Sequence, residues 1–272
     1  MQSFANPVTL QPRRRALSLA TASFTCVAVL LSGCSSSPVS QIGKSTKVEY
    51  YPSCYEPVQH LRDTDSNMTK SVATGAVIGA VGGALVGGAA GYYTEKQKQI
   101  TDDHQRLGSY AADADKSAAD IDRSVAYAQA SQSCYQQQFS ALLQQRKAGT
   151  IKDEEGRKRL AEIVAGLKES NDLITAVSGK AGEDLSNYTQ AYEKDLQTVG
   201  VERKEVTKVA TAKQPKPTAK VTKEVITTEQ SLQKAQAKQK ESQQVASRGR
   251  TLISDVCNNP DMGDWAPASC KA

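Results

Sequence analysis

From Leu107 onward, apolar or small residues return at alternating steps of four and three: Leu107, Ala111, Ala114, Ala118, Ile121, Val125, Ala128, Gln132, Tyr135, Phe139 and Leu142. A strand repeats every two residues, so a seam held in this register over five heptads admits only a helix that lies along another helix. Alanine at so many of its sites implies close approach of the partner. The stretch Ala148-Gly149-Thr150 breaks the pattern, and Thr150 followed by Asp153 reads as a capping box that starts a second helix. Its seam runs through Leu160, Val164, Leu167, Ile174, Ala181, Leu185, Tyr188, Tyr192 and Val199, with polar Asn171 and Ser178 interrupting. A short turn between two long helices predicts an antiparallel hairpin over 94–200.

Composition agrees. Leu, Ile, Val and Phe number 50 of 272 residues, about 18%, below the roughly 20% at which a thick core becomes hard to build. Net charge is too small for a strongly charged disordered chain, so thin all-α packing is the expectation. A third helix over 224–256 carries a sparse stripe of Val225, Leu232, Ala235, Ala246, Ile253 and Val256, suited to a three-helix bundle or to another chain. Between them, 201–223 is rich in Lys, Thr and Pro, with seven basic residues against Glu202 and Glu205. It reads as an extended linker; contact with anionic lipopolysaccharide or peptidoglycan is the functional alternative.

Residues 1–33 contain no acid and three basic residues, Arg13, Arg14 and Arg15, followed by an apolar run from Ala16 to Leu31 and small residues. That order describes an export signal, and the run is short for a permanent membrane helix. The segment ends Leu31-Ser32-Gly33-Cys34, which resembles the lipobox of bacterial lipoproteins. The resemblance implies acylation of the Cys34 thiol and a mature chain beginning there, with Ser35 in second place favouring the outer membrane. Residues 34–70 then comprise a tether, including SSSPVS, and a Tyr/Pro/Cys segment around Tyr50–Pro57 that docks either on the bundle or on a partner. Processing leaves 31 basic and 29 acidic residues, a balance that gives no reason to expect nucleic acid as partner.

The uncharged run 71–93 repeats glycine at every fourth position: Gly75, Gly79, Gly83, Gly87 and Gly91. On a helix they form a groove for another backbone, drifting about 40° per step. Glycine costs about 0.8–1.0 kcal/mol per site relative to alanine in a helix, so contacts or lipid must compensate. One helix of this length, about 34 Å, would span a bilayer. Six large aliphatics contribute only about −2 to −4 kcal/mol to insertion, too little for a stop-transfer helix. The run GAVIGAVGGALVGGAAGYYTEKQKQ resembles the glycine-zipper segment of bacterial outer-membrane lipoproteins. That resemblance, over roughly 70–100, implies association with a bilayer and self-association through the zipper. The peptidoglycan-binding domain that some relatives carry is missing from this sequence.

Of six cysteines, Cys26 leaves with the signal and Cys34 carries lipid. The remaining four, in an exported chain, suggest disulfides. Cys257 and Cys270 bracket a loop, NNPDMGDWAPAS, in an otherwise irregular tail (257–272), and are the preferred pair. Cys54–Cys134 faces a test of reach. Seventeen steps from Cys54 to Ser71 extend about 60 Å at most, whereas an unbroken helix over 71–148 would put Cys134 about 95 Å from Ser71. This pair therefore requires a bend, expected at Gly82-Gly83, Gly87-Gly88 or Gly108. No metal-binding spacing occurs. Gly43-Lys44-Ser45-Thr46 mimics a phosphate loop but lacks its first glycine, with Pro38 in that place. His104 continues the seam and is expected to pack. No nucleophile, base and orienting acid can be assembled.

The sequence thus predicts a membrane-associated glycine-zipper helix or hairpin, then a long helical hairpin, then a third helix. The functional expectation is a noncatalytic lipoprotein without cofactors, its body in the periplasm, that scaffolds an envelope or secretion assembly with an unidentified envelope protein. The alternative is a pore formed by packed zippers.

Overall fold

The computed structural model describes residues 42–75 and 88–271. The expected export signal, Cys34 and three glycines of the expected zipper, Gly79, Gly83 and Gly87, lie outside them. The described residues form six helices and no strand: α1 (Pro52–Gly75), α2 (Gly88–Gln99), α3 (Asp103–Lys147), α4 (Asp153–Thr198), α5 (Arg203–Ala210) and α6 (Lys223–Cys257). The all-α fold and the antiparallel α3–α4 hairpin are as the seams predict. Gly75 is the last described residue of α1, and Gly91 lies within α2.

Ten of the eleven α3 seam residues are buried, Ala111 being the one half-covered. α6 completes an up-down-up bundle, running parallel to α3. The Thr228 hydroxyl donates to the Leu107 carbonyl near one end (2.8 Å), and Tyr192 donates to the Val225 carbonyl (3.1 Å). α1 and α2 pack on the α3–α4 pair, leaving α4 covered on several sides. Hence a second buried stripe appears on α4, through Ile163, Leu173, Val177, Ala191 and Leu196, which the seam had not included.

Local chemistry explains the helix ends. Asp102 accepts from the Gln105 N–H (2.7 Å) and so caps α3, whose register begins after a break at 100–102. His104 falls in the first turn of α3, at the open end of the seam, and is exposed rather than packed. The neighbouring Arg106 is buried in its stead. At the far end, Gly149 sits at φ +65°, with its N–H on the Arg146 carbonyl and the Thr150 N–H on the Gln145 carbonyl (both 3.0 Å). This is a Schellman stop, and Gly200 (φ +70°) ends α4 in the same way. Thr150 is therefore part of the α3 terminus and not the cap of α4. The capping position belongs to Lys152, which makes no side-chain cap, and α4 opens instead with Asp153, Glu154 and Glu155 against the positive end of its dipole.

Two further expectations change. The stretch 201–223, expected as an extended linker, folds two turns of helix as α5, because Val206 and Ala210 fall four apart and bury on one face. The tail after Cys257 is also packed, with Met262 and Trp265 both buried. Both disulfides, Cys54–Cys134 and Cys257–Cys270, are formed. Gly108, offered as a bend, lies inside α3 against the Glu224 side chain, while the described break between zipper and seam is at 100–102.

Candidate functional site

The tether segment of residues 42–51 runs extended along α4, held there by two buried glutamates two helical turns apart. Glu162 accepts the N–H groups of Glu49 (3.0 Å), Tyr50 (2.8 Å) and Tyr51 (2.8 Å). Glu169 accepts the N–H groups of Ser45 (3.1 Å) and Thr46 (3.0 Å), the Tyr55 hydroxyl (2.9 Å) and Arg62 (2.7 Å). A spacing of seven puts both carboxylates on one face of α4, and every buried acceptor oxygen meets a donor, as burial of a charge demands. The chain then reverses. Pro52 opens α1, where its missing N–H costs nothing, and the Cys54 and Tyr55 amides bond the Tyr51 carbonyl. Cys54 is fully buried and bonded to Cys134 on α3. The Tyr/Pro/Cys segment thus docks on the bundle.

Electrostatics at this clamp favour the charged form. Burial alone would raise the Glu169 pKa, but hydrogen bonds from Arg62, Thr46 and Tyr55 outweigh it and hold the carboxyl below its usual range. The Tyr55 phenol is pushed up to about 12 by its own burial and then by the Glu169 bond.

A second polar cluster joins α2, α3 and α4. Asp195, fully buried, accepts from Arg106 Nε (2.9 Å), the Tyr110 hydroxyl (2.7 Å) and Gln97 Nε2 (2.8 Å). Arg106 also donates to the Ile100 carbonyl (2.7 Å) and pairs with Asp103. Beside it, Lys96 pairs with Asp113 (2.7 Å), which Tyr92 also bonds, and lies 5.6 Å from the ring centres of Tyr92 and Tyr110. All of these groups are spent on one another, so the cluster fixes α2 and offers no free acid or base.

The tail forms a cap over the hairpin turn. Arg146 stacks on Trp265 (4.3 Å), bonds the Met262 carbonyl and pairs with Asp264 (3.1 Å), while Arg157 also pairs with Asp264. The Trp265 ring lies where a side chain on Gly156 would project. Gly166 likewise makes room for Tyr135, and Gly249 for Asn171 and Gln132. These three glycines went unremarked in the sequence; each falls on a buried helix position where glycine is otherwise disfavoured, the one signal that marks them.

Two grooves open at the surface. One, of about 720 Å³, lies between the docked tether and α4, bordered by Lys47, Tyr50, Lys158, Ala165 and Lys168. The other, of about 640 Å³, lies beside α5 with Lys208, Lys216 and Lys220 over Val209 and Val221. Neither brings together a nucleophile, base and orienting acid. Among the described residues, no group of three or more His, Cys, Asp or Glu is placed to hold a metal ion, and no helix is long and apolar enough to cross a membrane. Comparison with protein-family models, curated proteins and solved structures finds no match.

Proposed function

We propose that this protein is a noncatalytic bacterial outer-membrane lipoprotein, tethered through lipid on Cys34, whose helical bundle scaffolds an envelope or secretion assembly. The observation that carries the reading is the tether clamp. A segment that begins eleven residues past the lipobox cysteine is fastened along the bundle by two buried carboxylates, and a disulfide nine residues further on locks the next helix. Such fastening is useful where the chain in front of it is itself fixed to something. The polar clusters are saturated internally, which suits a rigid spacer more than a reaction centre. The glycine run between α1 and α2 supplies a second attachment, to lipid or to another copy.

Mass analysis of the mature N-terminus and membrane fractionation test this reading. A diacylglyceryl, N-acylated Cys34 in the outer-membrane fraction is expected, with Cys34→Ala releasing the bundle or leaving it unprocessed. A mature chain that begins elsewhere and stays soluble would overturn it. In vivo crosslinking from exposed sites on α6 then identifies the partner. Conductance in planar bilayers that vanishes in Gly83→Leu would favour the pore instead.

A further inference from the structure

We infer that the bundle lies along the membrane that holds its lipid, with the tether-bearing flank against the phospholipid surface, rather than projecting from it end-on. This rests on the acylation of Cys34 proposed above. The tether meets the bundle about a third of the way along α4 from Asp153. The Ile42 carbonyl accepts from Arg62 Nη1 (2.6 Å), and Nη2 of the same guanidinium bonds Glu169 (2.7 Å). Along α4, Glu169 stands 16 residues from Asp153 and 29 from Thr198, or about 24 Å and 44 Å at 1.5 Å per residue.

Eight peptide steps separate Cys34 from Ile42, a span of about 29 Å when fully stretched. As a flexible coil the same steps average roughly 16 Å end to end. Standing the bundle on its Thr198 end needs about 44 Å, which the tether does not possess; its axis is confined to within about 40° of the membrane plane on that side. Standing it on the other end needs more than 24 Å, because the turn at 148–152 lies beyond Asp153. That posture takes nearly the whole stretched length. The side-on posture takes almost none of it.

The flank has matching chemistry. Val48 on the tether is the exposed large hydrophobic among the described residues, at 38% exposure. Lys44 and Lys47 stand exposed beside it next to Glu49, while in the adjoining groove Lys158 pairs with Glu154 (2.8 Å) and Lys168 donates to the Ser269 carbonyl (2.9 Å). Lysines that reach phosphate groups, around an aliphatic side chain at the interface, suit an anionic bilayer surface.

The test uses full-length acylated protein on supported bilayers of phosphatidylethanolamine and phosphatidylglycerol, with acylation of Cys34 checked by mass. Neutron reflectometry is expected to give a protein layer roughly 30 Å thick, the width of three packed helices, rather than one near 70 Å, the length of α4. A fluorophore on Val48→Cys should be quenched by brominated lipid several-fold more than one on Lys240→Cys of α6. A layer near 70 Å, or equal quenching at the two sites, overturns the side-on posture and leaves the lipoprotein reading intact. An unacylated Cys34 removes both.

Discussion

At the scale of single residues, the clamp on the tether depends on the charge of Glu169. Its folded pKa is depressed, so its contribution is complete above the ordinary carboxylate range and is lost as pH falls through the lower folded value. Arg62 and Tyr55 face it as donors, and Asp172 lies near enough to feel its charge. Asp120, Asp172 and Asp184 have raised values, chiefly from burial, and so act with the opposite sign: their protonation favours the fold. Acid release of the tether at Ser45 and Thr46 therefore reports on Glu169. Cleavage by an acid-active protease within 42–51 should rise steeply once the pH falls below the ordinary carboxylate range, and Glu169→Gln should show that accessibility already at pH 7. Glycines give a second contrast. Gly166→Ala forces a methyl into the Tyr135 ring and should cost about 1–3 kcal/mol in urea unfolding. Gly179→Ala, in the same helix with nothing within 4 Å, should stabilise by about 0.4–1 kcal/mol.

Among elements, the two disulfides do different work. Cys54–Cys134 closes a loop of 80 residues, for which chain entropy predicts about 4.5 kcal/mol, and it holds α1 to α3. The double variant Cys54→Ser/Cys134→Ser should lose about 2–5 kcal/mol and expose α1 to limited proteolysis while α3, α4 and α6 stay protected. Cys257–Cys270 closes only 13 residues, and the loop it spans is also held by Arg146, Arg157 and the seat for Trp265 on Gly156. Since the chain has one Trp, its fluorescence reads this cap directly. In Cys257→Ser/Cys270→Ser the emission should stay blue-shifted, whereas Arg146→Ala in that background should shift it to the red. The elements legible in advance were those with a regular period: the seams of α3 and α4, and the stripe of α6. Missed were α5, whose Val206–Ala210 pair was masked by lysine and threonine, and the cap, which carries no period at all.

For the whole molecule, the seams gave the hairpin but not what surrounds it. Ile163, Leu173 and Val177 are buried by segments distant in sequence, and no local pattern on α4 says which segment will come. Nothing in the sequence sets Glu162 and Glu169 apart from the other charges of α4; only the docked tether makes them acceptors. His104 misled because it stands in the first turn of α3, where the period continues but the covering does not.

The tether is recognised in an unusual currency. Five of its contacts to the two glutamates are made by peptide N–H groups, at Ser45, Thr46, Glu49, Tyr50 and Tyr51. Such a grip is nearly blind to spelling: Ser45, Thr46 and Glu49 can change identity over generations while the fastening persists. One letter is forbidden. Proline has no N–H to offer, so a proline at 46 or 49 should unfasten the strand as surely as removing the carboxylate that receives it.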